Sequence, residues 1–234
     1  MIIAERKDLG QILRMLEGRS KVLIAGCRSC VAICHAGGEK EVAATAEALR
    51  LKAAAEGRHI EVTEMTLERQ CEKEWVQEMA PHLQDQEIVL SLACGVGAQV
   101  VQEMYPMTMV VPGLNTSNMG ALEEQGIYLE KCAGCGDCVL HLTGGICPLA
   151  RCSKSMLNGP CGGSQNGKCE VNLDTACAWD LIFHSLQRLG RLDLLEENIP
   201  PKNWLPSRSG GPRRIVRPLV VQGEEEMRAR EGSP

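Results

Sequence analysis

No run in this sequence is apolar for long enough to cross a membrane, so a spanning segment is excluded. Aromatic residues are scarce, with one Phe, two Tyr and three Trp in 234 residues. Positive charge is not in excess either. The formal net charge is −5, which removes the backbone-driven attraction for nucleic acid and counts against a zinc-finger reading of the cysteines. The first residues, MIIAERKDLGQILRML, are charged early and helical in period. They lack the apolar core and small-residue cleavage site of a secretion signal. An odd number of cysteines without such a signal leads us to expect a reducing compartment, the cytoplasm. No phosphate-binding loop and no G-x-G-x-x-G fingerprint is present. No Ser/His/Asp or zinc-hydrolase constellation stands out, and His35, His59, His82, His141 and His184 are scattered.

What the chain has is cysteine, thirteen in all, and the stretch from Cys132 to Cys177 holds eight of them. They are Cys132, Cys135, Cys138, Cys147, Cys152, Cys161, Cys169 and Cys177. The opening is C-x2-C-x2-C, and Cys147 is followed by Pro148. Bacterial ferredoxins place three ligands of one four-iron cluster in that spacing, with a Cys-Pro serving the other cluster of the pair. Here the Cys-Pro comes late, after the insertion from His141 to Ile146. Eight thiolates nevertheless suit two 4Fe-4S clusters, whereas a zinc ribbon would show paired C-x2-C knuckles. His141 lies among these cysteines and is a further donor, although a surface role suits it better. So short and glycine-interrupted a segment cannot bury a self-supporting core, and metal–thiolate bonds can replace one.

The remaining chain alternates short apolar runs with helical patterns. Glu5 to Leu16 reads as an amphipathic helix, followed by a strand at Val22 to Ala25. A helix is expected from Glu39 to Glu56, a strand from Ile60 to Met65, and a helix from Glu72 to Leu83 blurred by Pro81. A buried strand at Ile88 to Ala93, a helix at Ala98 to Met104 and a strand at Met107 to Val111 complete the set. This is the pattern of an α/β fold, a parallel sheet with flanking helices. Cys27, Cys71 and Cys94 all fall just after strands, so the sheet should carry its cysteines at its C-terminal edge, where α/β proteins bind ligands. Cys30 and Cys34 lie one helical turn apart. We expect a metal site from Cys27, Cys30, Cys71 and Cys94, with Cys34 as the competing ligand. The alternatives are buried free thiols and a thioredoxin-like pair at Cys27 and Cys30.

These features divide the chain into an α/β domain over 1–128, a small cysteine-rich metal-cluster domain over 129–195 and an extended or disordered tail over 196–234. Within the cysteine-rich part, Asp174 or Thr175 should cap a helix running to Leu189, with Cys177 in its first turn. The tail is rich in proline and arginine. Its apolar residues Trp204, Leu205, Ile215, Val216, Leu219 and Val221 suggest that 200–221 lies extended over a partner or over the sheet domain. The last residues, GEEEMRAREGSP, have the composition of a disordered end.

Several segments together carry a family resemblance: CRSCVAICHAGGEKEV from Cys27, LACGVG from Leu92, CAGCGDC from Cys132, LTGGICPLARCSK from Leu142, LNGPCGG from Leu157, and GKCE with CAW up to Trp179. They resemble the MetV-type small subunit of two-subunit methylenetetrahydrofolate reductases of anaerobic one-carbon metabolism, over essentially Val22 to Leu189. The resemblance implies an iron–sulfur electron-transfer subunit that is not catalytic alone. Its partner would be a flavin-containing barrel subunit that binds the folate, in some cases within a larger electron-donating complex. The clusters would be two 4Fe-4S centres in the cysteine-rich domain and a third, or a zinc ion, at the sheet edge. The flavin would belong to the partner and not to this chain. The competing readings are a zinc-binding assembly subunit without redox role and a free-standing cysteine oxidoreductase.

Overall fold

The computed structural model describes residues 1–218, 220 and 221. Leu219 and the GEEEMRAREGSP end, for which the sequence suggests disorder, lie outside the described residues. The chain forms two compact units, Met1–Ala133 and the part from Gly134 onward.

The first unit is built on a parallel sheet. Its strands are β2 (Lys21–Cys27), β3 (Glu61–Leu67), β4 (Ile88–Leu92) and β5 (Met109–Pro112), preceded in the chain by β1 (Ile2–Arg6). The four lie in the order β3-β2-β4-β5, all parallel. Helices α1 (Leu9–Met15), α2 (Cys30–Ile33), α3 (Glu39–Ala55), α4 (Lys73–Val76) and α5 (Gly95–Met104) connect them. The central strands β2 and β4 read VLIAGC and IVLSL and are buried on both faces, as strands covered by helices must be. Alternate residues serve different cores. Val22, Ile24, Ile88 and Leu90 pack with α1 and α3 residues such as Ile12 and Leu49. Leu23, Ala25 and Val89 pack with Val76, Met79 and Val101 on the other side.

The helices follow local rules. Asp8 caps α1 by accepting from the Gln11 amide at 2.9 Å. In α3, Val42, Ala46, Leu49 and Ala53 form one buried face. Glu41 accepts the Gly38 amide at its start, and Gly57 at φ +66° follows its end. The expected helix at 72–83 divides into α4 and a 3-10 turn over Gln77–His82 that contains Pro81, because proline lacks the donor an α-helix needs. The helix expected from Ala98 starts earlier, at Gly95.

The sequence reading missed a second sheet in this unit. Strand β1 pairs antiparallel with β6 (Leu114–Glu124), which pairs with β7 (Ile127–Cys132). The β6–β7 turn uses Gly126 at φ +86°.

The second unit has little regular structure: α6 (Pro148–Arg151), α7 (Ala178–Arg188) and short 3-10 turns. Its core consists of Cys177, Trp179, Ile182 and Leu186, with Ile146, Cys152 and Leu194 against them. The Trp179 indole donates to the Met156 carbonyl at 3.0 Å, and Gly159 packs flat on its ring, where a Cβ would lie 2.4 Å away. Ser185 ties α7 to the Gly144 carbonyl at 2.8 Å. Ile199 exchanges two hydrogen bonds with Asn158, Lys202 pairs with Asp137, and Pro206 packs on Gly136. The segment 199–206 thus straps the cysteine-rich unit itself. No helix among the described residues is long and apolar enough to cross a membrane.

Candidate metal centres

Parallel strands present all their C-terminal ends on one edge, and the parallel register brings Cys27 opposite Leu67. Cys27 ends β2 and is buried. Its thiol points to the Glu68 carbonyl at 3.8 Å, which also accepts from Ser29 Oγ at 3.0 Å. These contacts bind the turn after β2 to the turn after β3. Cys71 follows in that second turn, and Cys94 stands just past β4 as the cap of α5. Cys30 opens α2 and is half-buried.

The thiols of Cys27 and Cys94 lie near enough to Cys71 to affect it. Cys71 is exposed overall, yet burial of its thiol raises its pKa above the ordinary value, and the charges of Cys27 and Cys94 raise it further. Cys34 is buried with its thiol at 3.6 Å from the carbonyls of Ala4 in β1 and Val31, and burial raises its pKa, with the charge of Cys30 adding to the rise.

Behind the edge lies a polar network that the sequence did not signal. Gln70 and Ser91 are fully buried. The Gln70 amide donates to the carbonyls of Ala25 and Gly26 at 2.8 and 2.9 Å. Its oxygen accepts from Ser91 Oγ at 2.7 Å, and Ser91 Oγ accepts the Ala93 amide at 3.3 Å.

In the cysteine-rich stretch, Cys132 ends β7. Cys135 and Cys138 sit in the loop that follows, where Gly134 and Gly136 have positive φ, and the Cys135 thiol reaches the Asp137 carbonyl at 3.8 Å. Cys147 caps α6, with Pro148 at its first position, and Cys152 closes it. Cys161 is exposed, 3.7 Å from Glu170 Oε1. Cys169 has its pKa lowered, first by the Ser153 hydroxyl at 3.4 Å and then by the backbone of Val171 and Asn172. Cys177 is the residue that caps α7, in place of the expected Asp174 or Thr175, and its amide donates to Gly167 at 2.8 Å. It borders a cavity of about 420 Å³ with Trp179, Asp180 and Phe183. His141 is exposed.

Among the described residues, no group of three or more His, Cys, Asp or Glu side chains closes to metal-holding geometry.

Comparison with curated proteins and with solved structures gives no match. Residues 111–205, less than half of the chain but including all eight cysteines from Cys132 to Cys177, match the family model described as methylene-tetrahydrofolate reductase C terminal, so the chain carries a domain of that kind.

Proposed function

We propose that this chain is the iron–sulfur electron-transfer subunit of a methylenetetrahydrofolate reductase complex, passing electrons from a low-potential donor to the flavin of a partner subunit. The observation that carries the reading is a coincidence of two facts. The region matching the reductase family is the region that opens with C-x2-C-x2-C and holds eight cysteines, the number two four-iron clusters need. When bound, such clusters supply one-electron chemistry at low potential.

The chain's own residues fit that role. Cys132, Cys135, Cys138, Cys147, Cys152, Cys161, Cys169 and Cys177 supply eight thiolates. The hydrogen bonds that lower the Cys169 pKa favour its thiolate, and donors of this kind also tune a metal-bound sulfur. Cys177 caps the N-terminus of α7, where the helix dipole favours negative charge. Cys27, Cys30, Cys71 and Cys94 supply a third, all-thiolate set at the sheet edge. Cys34 is left out of that set, because its thiol is engaged with the Ala4 and Val31 carbonyls. The folate and flavin chemistry is assigned to the barrel partner, since the cofactor carries the hard step. A zinc-binding assembly subunit without redox role is the second reading. What favours it is the sheet-edge set, whose donors suit zinc as well as iron.

Metal analysis and EPR on anaerobically purified chain separate the two readings: brown protein that becomes EPR-active on reduction with dithionite is expected, and colourless zinc protein would overturn the relay. The functional test compares two rates of methylenetetrahydrofolate reduction in the reconstituted complex, for Cys135→Ala and Cys161→Ala variants that still bind the partner. The rate driven by the low-potential donor should fall strongly. The rate driven by a chemical reductant that reaches the flavin directly should persist. An unchanged donor-driven rate would mean that the clusters are structural.

A further inference from the structure

Three cysteines at the sheet edge come from three separate segments, and none of them is held by the others. Cys27 ends β2, Cys71 lies in the turn after β3, and Cys94 follows β4. One buried side chain touches all three segments. Gln70 immediately precedes Cys71. Its two amide hydrogens go to the carbonyls of Ala25 and Gly26, the residues just before Cys27. Its oxygen takes the Ser91 hydroxyl, and Ser91 Oγ holds the amide of Ala93, the residue just before Cys94. Every polar atom of the Gln70 amide is thereby used.

The polarity of this position needs a reason. Gln70 is 0% exposed. An apolar side chain of similar volume would fill the space without burying an amide. The surroundings also make room for it. Gly97 in the first turn of α5 leaves its Cβ position empty, and an added Cβ would lie 2.8 Å from the Gln70 Cβ and equally close to that of Ala93. Helix α5, capped by Cys94, therefore closes directly on this glutamine.

We propose that Gln70, with Ser91, is the positioning residue of the sheet-edge thiol site: it ties together the three segments that carry Cys27, Cys71 and Cys94, so that their thiols close on one thiophilic metal centre when the metal binds. The inference rests on the reading that these thiols bind metal. Hydrogen-bonded residues behind metal ligands typically change affinity by about 10- to 100-fold when removed, and a loss in that range is expected here.

The test uses the full chain, stripped of metal under anaerobic conditions, with cobalt(II) as the probe. Thiolate-to-cobalt absorption that disappears in Cys71→Ala reports the edge site and separates it from the later cysteines. Gln70→Met keeps the volume and removes the hydrogen bonds. It should weaken the Cys71-dependent cobalt binding by about 10- to 100-fold. Ser91→Ala should weaken it less, and it serves alone if Gln70→Met does not fold. Leu49→Ala, on α3 and away from the edge, lowers stability by a different route and should leave cobalt affinity unchanged. Unaltered affinity in both Gln70→Met and Ser91→Ala would overturn the positioning role while leaving the metal reading intact. Equal losses in Leu49→Ala would overturn it too, as an effect of stability alone. Absence of any Cys71-dependent cobalt signal in the unsubstituted chain would overturn the metal reading, and the proposal with it.

Discussion

The sheet unit and the cysteine-rich unit solve the same problem, holding thiols in place, with different means. In the sheet unit the backbone is fixed first. Strands β2 and β4 are buried on both faces, helices cover them, and two apolar cores run along the sheet. Its cysteines decorate the edge of a frame that exists without them. In the cysteine-rich unit, four buried side chains make up the core, and one of these is Cys177 itself. Hydrophobic burial scales with the apolar area removed from water, and this unit removes little. The comparison teaches that the sheet unit has apolar cores to fold around, whereas the cysteine-rich unit draws one of its four core side chains from a cysteine.

The strongest challenge to that contrast is metal removal. Stripping the protein should leave the sheet unit folded and unfold the segment between Cys132 and Cys177. Limited proteolysis should then cut first inside that segment. Equal resistance of stripped and loaded protein would erase the distinction.

Core truncation sharpens the contrast at a smaller scale. Leu90→Ala, at a fully buried position of β4, should cost the sheet unit about 2–5 kcal/mol whether metal is present or not. Ile182→Ala in α7 should lower the unfolding temperature of the loaded protein. In the stripped protein, where the cysteine-rich unit has no fold left to weaken, it should change nothing. Calorimetry on the unsubstituted chain and both variants, each loaded and stripped, reads both effects.

The smallest expected effect concerns Cys34, a thiol used as an apolar filler. Burial holds its pKa above the ordinary 9.0. A folded value above the unfolded one means that the contribution of the neutral thiol is complete below the ordinary value and is lost as pH rises through the folded value. The metal-free sheet unit should therefore lose stability above about pH 9, and Cys34→Ala should make that loss shallower. Cys71 shifts in the same direction, but it is exposed and solvent screens its share. A pH series of thermal midpoints on both proteins decides the matter. Parallel curves would remove Cys34 from the account.

How much could be read in advance follows the same division. The buried strands of the parallel sheet and helix α3 were legible because their signal is local: continuous apolar runs, a 3.6-residue face and a closing Gly57. The edge positions of Cys27 and Cys94 then followed from topology. Strand β1 was hidden, because IIAER runs into the amphipathic pattern of α1 and was read with it. Strands β6 and β7 are mostly exposed, so LNTSNMGALEE carries no clear alternation of buried and open positions. Cys34 fits a metal-ligand spacing, but its contact with Ala4 depends on a strand the sequence did not announce. Gln70 carries no signal at all. Its meaning arises when three distant segments meet. The strap formed by 199–206 was likewise invisible, since its partners Asn158 and Asp137 are ordinary polar residues.

Strand β1 also sets an order of events at the ribosome. Ile2 pairs with Met119 and Arg6 with Leu114. The segment 2–6 therefore leaves the exit tunnel with no strand to join, and the parallel sheet has its last strand, ending at Pro112, before the partner of β1 has been synthesised. Residues 2–6 are thus secured only after 114–119 have been made. Until then Ile2 and Ile3 stay open to solvent on a nascent chain, the kind of apolar extended segment that chaperones recognise and that unpaired chains aggregate through.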